Sequence, residues 1–316
     1  MVQPAVRYEN SFMNSARWSE ITLREGDIVI STPPKCGTTW MQMICALLVF
    51  QTTDFPQPLP DMSLWVDFRT PSRADLRAAY GGQSHRRFLK THTPLDGLPI
   101  DDRVSYICVG RDPRDAAISW LNHLANQNVD ALTALLDAAA IADGERATSP
   151  REIFDAIPPG TLNDQFVAWV DNPDQINGLA WFITHMASFW EARDRPNVAL
   201  LHYDALQADL ADEMRSLAKW LHIDVAPQRW DQLVTAAGFD WMSRRFDLYA
   251  PGGPVWRDQS RFFHKGTSGQ WRDVLDPAGL NHYWTRIPAL ADPELVAWLH
   301  PAHSILPTGA RNPGTV

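Results

Sequence analysis

Four short apolar runs punctuate the chain, and three of them give way to a polar turn and then to apolar residues at helical spacing. The first, residues 27–32, is rich in β-branched side chains and reads as a buried strand. Pro33 and Pro34 end it, because neither can donate to a strand ladder. Beyond Gly37, Trp40, Met41, Ile44, Leu47, Leu48 and Val49 recur with helical period. Residues 86–92 predict a second strand that ends at His92, and residues 104–110 a third, nearly all apolar as an interior parallel strand requires. Asp112 is placed to cap, and Pro113 suits the first position of, a helix running to about Asn126. Residues 197–203 predict the fourth strand, with helices over 178–193, 206–221, 230–238, 279–289 and 293–299 and a frayed tail over 307–316.

Strands alternating with helices predict a single α/β domain over residues 1–316, with a central, mostly parallel sheet of four or five strands flanked by helices on both faces. In such sheets ligands gather beyond the carboxyl ends of the strands. Residues 129–173 break the rhythm with an alanine-rich helix, the polar turn Gly144-Glu145-Arg146 and the breakers Pro158-Pro159-Gly160. They read as an insertion over the site, a lid that would house acceptor specificity. No internal repeat or low-complexity tract points to another architecture.

At 316 residues the chain can bury a large core, and a net charge of −9 argues against a nucleic-acid partner, which needs a basic face. Three cysteines without zinc-ligand spacing imply neither a disulfide framework nor a metal site. The first residues lack the apolar core of a signal peptide, and no apolar run is long enough for a transmembrane segment, so a cytoplasmic location is expected.

Chemistry gathers at the strand ends. Between the first strand and its helix, Gly37 allows close backbone approach, Thr38 and Thr39 offer hydroxyls, and Lys35 a cation. Free N–H groups and the positive end of the helix dipole make that turn an anion site. The order is not that of the usual nucleotide loop, in which the lysine follows the second glycine. Cys36 is either inert packing or a thiol of lowered pKa beside Lys35. His92 lies at a strand end with Lys90 two positions back on the same face, where a general base would stand. Arg111 precedes a helix N-terminus, and Ser119 lies two turns into that helix. Trp65 and Phe68 are either core residues or aromatics beside the site.

The spelling T-P-P-K-C-G-T-T-W resembles the 5′-phosphosulfate loop of the cytosolic-type sulfotransferases, which use 3′-phosphoadenosine 5′-phosphosulfate (PAPS) and release 3′-phosphoadenosine 5′-phosphate (PAP). F-L-K-T-H-T-P resembles the segment whose histidine deprotonates the acceptor hydroxyl, and R-D-P-R-D-A-A-I-S the 3′-phosphate segment R-x-x-x-D-x-x-x-S. Phe239-Asp240-Trp241-Met242-Ser243, resembling the family's S-F-x-x-M segment, and F-F-H-K-G-T-S-G-Q-W-R complete the set in the right order. The resemblance implies a P-loop-like fold and no metal. It makes His92 the base, Lys35 the stabiliser of the leaving phosphate, and Lys90 a helper on the sulfonate. By the same likeness Ser119 engages the loop lysine, and Cys36, Gly37, Thr38 and Thr39 form the 5′-phosphate loop. Arg111, Ser119, His264, Lys265 and Gly266 would hold the 3′-phosphate, with His264 where the family has arginine. Trp40 and Phe239 would flank the adenine and Tyr203 contact it, while Ala237 and Gln270 replace the family's threonine and aspartate. Trp65 and Phe68 would face the acceptor. The wording of the motifs is most like actinobacterial members, mycobacterial ones included. That favours a glycolipid or other carbohydrate hydroxyl as acceptor, with a phenol or small alcohol second. The rival readings are a P-loop nucleotide or small-molecule kinase, which would want Mg²⁺ and an acidic residue to hold it, and an inactive nucleotide-binding module.

Overall fold

The central sheet is built from strands buried on both faces. In a computed structural model that describes residues 1–172, 178–250, 252–263 and 265–300, β1 (Ile28–Ser31), β2 (Phe88–Thr91), β3 (Ser105–Gly110) and β4 (Val198–His202) pair in parallel in the order β2-β1-β3-β4. Alternate side chains enter two separate cores, as the period of a strand dictates. Val29, Leu89, Cys108 and Leu200 lie in one, and Ile30, Phe88, Ile107 and Leu201 in the other. Ser31 is in register with Thr91, and Gly110 with His202. The chain runs from β1 out to β2, then returns past β1 to β3. The crevice beyond the carboxyl ends of β1 and β3 is therefore where connections diverge, the usual ligand position in an open α/β sheet.

The principal helices are α1 (Thr38–Phe50), α2 (Pro113–Ala125), α3 (Val129–Asp143), α4 (Leu162–Asp171), α5 (Leu179–Glu191), α6 (Leu210–Trp220) and α7 (Trp230–Ala237). Met41, Ile44 and Leu47 of α1, with Met214 and Leu217 of α6 and Leu233 of α7, fill the core that holds Ile30. Ile118 and Leu121 of α2, Phe166 and Trp169 of α4, and Met186 and Phe189 of α5 fill the other. Each such side chain contributes about 1.5–3 kcal/mol by leaving water. Among the described residues no helix is long and apolar enough to cross a membrane.

The region expected to form one insertion over the site divides in two. Only α3 borders the site, joined through Leu132 and Leu136 to a small cluster with Phe12. The helix α4 instead buries Phe166, Trp169 and Val170 in a main core, so its apolar face makes it a structural layer and not a lid. Residue 173, the end of the expected insertion, lies outside the described residues, as does the tail over 307–316. The helix expected over 206–221 is also two pieces, Tyr203–Ala208 and α6. Asp209 leaves helical backbone between them and accepts the Asp212 N–H at 3.0 Å, a cap that outweighs continuation. At the opposite end of the sheet, Arg87 Nε donates to Asp27 Oδ1 at 2.9 Å and its Nη2 to Asp27 Oδ2, with both side chains buried. This pair ties the start of β1 to that of β2.

Candidate active site

Each strand delivers a chemically active residue as it ends. The turn holding Lys35 follows β1, His92 follows β2, Arg111 follows β3 and Tyr203 follows β4. All four line one cavity of about 510 Å³. The other expected site residues line it as well, except Cys36 and His264. His264 lies outside the described residues.

The turn after β1 contains two left-handed residues, Lys35 (φ 69°) and Gly37 (φ 88°). A Cβ at Gly37 would come within 3.0 Å of the Tyr203 ring, so glycine meets both a conformational and a spatial demand. A lysine held at positive φ is uncommon and marks a constrained position. No side chain caps α1, so the N–H groups of its first turn stay available at the positive end of the helix. Thr38 Oγ1 lies 2.6 Å from Thr32 Oγ1, which fixes the first turn against the strand end. Cys36 points the other way: its thiol is buried in the core, and burial pushes its pKa up to about 12. The expected cofactor contact at Cys36 is thus open only to its main chain.

Beside this turn, His92 Nδ1–H donates to the Thr32 carbonyl at 2.7 Å, which sets the tautomer and leaves a lone pair on Nε2. Burial first, then Lys90 and Lys35, push its pKa down to about 3, so the ring is neutral at ordinary pH. Trp65 meets His92 edge-on at 4.6 Å and 87°, and stacks on Phe68 at 4.5 Å and 10°. Both aromatics stand on the cavity wall, and Phe68 also packs against the small cluster of Phe12 and Leu132. Lys90 Nζ lies 5.2 Å over the Trp65 ring. Burial lowers the Lys90 pKa to about 8 against the pull of Asp67, and burial together with Arg111 and Lys90 lowers that of Lys35 to about 7. A chain of net charge −9 has thus gathered desolvated cations around one cavity. Desolvation and like charge push these cations towards their neutral forms, and an anion beside them would oppose that shift.

Arg111 stitches the two halves of the site together. Its Nη1 donates to the Lys35 carbonyl at 2.9 Å and its Nη2 to the Thr267 carbonyl at 3.0 Å, with the guanidinium 4.2 Å over the Tyr203 ring. Its Nε is buried without a partner. Asp115 clamps the following loop by its main chain, accepting the Gly269 N–H at 2.6 Å and the Trp271 N–H at 3.2 Å. Gln270 Nε2 donates to the Thr267 carbonyl at 2.7 Å, so glutamine here braces the loop turn. Gly266 has φ 63°, and a Cβ there would stand 2.1 Å from the Phe239 ring. Lys265 is exposed at the rim. Trp40 Nε1 donates to the Ala237 carbonyl at 2.8 Å, and its ring meets Tyr203 edge-on at 5.1 Å.

One contact differs from expectation. Among the described residues Lys35 Nζ meets Nδ1 of His123 at 3.2 Å and makes no bond to Ser119. His123 follows Ser119 by one turn on the same face of α2, a spacing readable in the sequence. Asp115 was legible in the same way, inside the Arg111 segment. Phe12 and Trp256, which also line the cavity, come from segments with no local signal, whereas Trp120 and Phe262 lie close to Ser119 and Lys265 in the motifs themselves. Among the described residues no three His, Cys, Asp or Glu side chains are grouped to hold a metal ion.

A family model described as "Sulfotransferase domain" matches residues 25–285. The glycolipid sulfotransferase of Mycobacterium tuberculosis (strain ATCC 25177 / H37Ra) is 41% identical over 310 residues, covering 93% of this chain and 94% of that protein. Sulfotransferase 1C2 of Rattus norvegicus is 24% identical over 272 residues, covering 81% of each. A mouse sulfotransferase crystallised with PAP superposes with a TM-score of 0.64 at 16% identity, covering 90% of this chain and 92% of that one. Retinol dehydratase with androsterone and PAP gives 0.64 at 17% identity and 89% of both chains.

Proposed function

The chain belongs to the sulfotransferase family, and from that premise we propose that it moves the sulfuryl group of PAPS to a hydroxyl on a lipid-linked carbohydrate, with His92 as general base. The observation that carries this reading is the convergence of Arg111, Lys35, Lys90 and the uncapped start of α1 on one cavity. Cations and free N–H groups gathered in one place suit the oxygens of a bisphosphate. PAPS, when bound, supplies an activated sulfuryl group on a bisphosphate leaving group.

The residues divide the work by chemistry. The α1 N–H groups with Gly37, Thr38 and Thr39 suit a 5′-phosphate, and Arg111, Ser119, Lys265 and Gly266 a 3′-phosphate. Trp40, Phe239 and Tyr203 offer flat apolar faces to an adenine. His92 Nε2 has the lone pair to take the proton of an attacking hydroxyl, and Lys35 is the donor for charge that grows on the departing oxygen. Phe12, Trp65, Phe68, Trp120, Leu132 and Leu135 supply an apolar wall, which fits an acceptor with a hydrophobic body and one reactive hydroxyl. Relatives named glycolipid sulfotransferases support the lipid-linked form.

Two assays test this. Sulfur-labelled PAPS incubated with a lipid extract and, separately, with simple phenols is expected to label the lipid fraction; label in phenols alone would remove the lipid acceptor. Binding of PAP should exceed that of ATP with Mg²⁺, and the reverse preference would favour a kinase.

A further inference from the structure

The ammonium of Lys35 is already engaged. Its Nζ is 3.2 Å from His123 Nδ1 and 5.6 Å from the centre of the Phe262 ring. The imidazole is itself gripped by aromatics: Trp120 stacks on it at 5.5 Å and 25°, while Trp256 and Phe262 meet it edge-on at 5.0 and 6.3 Å. It therefore joins the turn after β1 to the segment that leads into the closing loop. On its far side Nε2 lies 3.3 Å from Gln127 Nε2, while Gln127 Oε1 is buried with no partner. An ammonium only donates, so Nδ1 must accept from it and the ring proton belongs on Nε2; half a turn of the Gln127 amide puts Oε1 where it accepts that proton. The proton then sits on Nε2, and Nδ1 keeps a lone pair for the lysine. Burial and the nearby Lys35 and Lys90 push the imidazole pKa well below its usual value, so the ring stays a neutral acceptor.

We propose that His123 is a positioning residue, the resting acceptor of the Lys35 ammonium, which lets the lysine go when a phosphate or sulfonate oxygen takes its place. The inference rests on reading the cavity as a PAPS site. It assigns to His123 a part in holding the loop lysine that the resemblance gave to Ser119. Because the resting hydrogen bond must break on binding, it opposes cofactor affinity.

Calorimetric binding of PAP without acceptor, on the whole protein, tests this in His123→Phe and His123→Asn. Phenylalanine keeps a ring against Trp120 and Trp256 but offers no acceptor; asparagine restores an oxygen near the position of Nδ1. His123→Phe should bind PAP about tenfold tighter, and His123→Asn within about threefold of wild type, since hydrogen bonds to charged groups are worth that much. In a Lys35→Met background the His123→Phe gain should vanish. Equal behaviour of the two variants, or weaker binding in both, means the ring only packs and overturns the proposal. Should His123→Phe fail to fold, nitrogen NMR of wild-type His123 decides. The Nε2–H tautomer with an Nδ1 resonance that moves on adding PAP is expected; an Nδ1–H tautomer, or an unmoved Nδ1 at saturation, overturns it. A wild-type protein that binds no PAP at all would instead sink the PAPS reading.

Discussion

Raising the pH above neutrality should weaken PAP binding, and two half-buried lysines set the size of the effect. Without a ligand, the Lys35 pKa lies at about 7 and that of Lys90 at about 8. An anion beside them favours the charged forms and raises both values. The sign follows from linkage. A lysine whose pKa rises on binding contributes fully below its free value, and the contribution fades as pH climbs towards its bound value. At pH 9 reprotonating Lys35 costs about 2.7 kcal/mol and Lys90 about 1.4 kcal/mol, at about 1.36 kcal/mol per unit. Incomplete burial of both chains reduces that sum, leaving PAP roughly a hundredfold weaker at pH 9 than at pH 7. The phosphates do not confuse the trend, since their second ionisation, near pH 6, is largely over by then. Isothermal calorimetry in two buffers of different ionisation enthalpy reads both the affinity and the protons taken up. An affinity flat within threefold from pH 7 to 9, with no buffer-dependent heat, would falsify the assignment of these lysines to the anion site.

Three further outcomes are expected. Replacing His92 with alanine should lower kcat by about 10²–10⁴, the usual share of general base catalysis, while PAP affinity stays within threefold; unchanged turnover removes His92 from the chemistry. Phe68→Ala should raise the acceptor KM about tenfold by exposing apolar wall, with PAP binding untouched, and a fall in kcat alone would contradict the role given to that wall. Arg87→Ala should cost about 3–5 kcal/mol in urea unfolding, because it strands the buried Asp27 carboxylate. The double replacement Arg87→Met with Asp27→Leu should recover much of that loss, and a double mutant no better than the single would argue against a stranded charge.

The sheet was legible because its residues obey local rules. Residues 27–32, 86–92, 104–110 and 197–203 each contain the observed strand, with ends displaced by one or two residues where turns begin. The residues just after those strands were legible for the same reason, since chain direction alone puts them at one edge of a parallel sheet. Three-dimensional packing hid the rest. Nothing local distinguishes α4, which completes the core, from α3, which borders the cavity; only the burial of Phe166 and Trp169 does. The helix Arg73–Gly81 also went unread, because a surface segment with two buried residues has little apolar pattern. His123 was visible as a residue one turn beyond Ser119, yet its link to Lys35 depends on how far α2 stands from the turn after β1.

The site's electrostatics also impose an order on its chemistry. A base whose pKa lies near 3 is a weak one, and part of the depression at His92 comes from Lys90 and Lys35. Those are the cations that a bisphosphate would neutralise. With their charge balanced, their share of the shift falls away and burial, the largest cause, remains against the hydrogen bond to Thr32, so the imidazole grows more basic once an anion is in place. Before that, a weak base beside bare cations gives a hydroxyl acceptor little reason to lose its proton. On the proposed reading, cation placement would do two things in one geometry. It would hold the donor and, as a lesser cause than burial, hold down the basicity of His92 until the donor is bound.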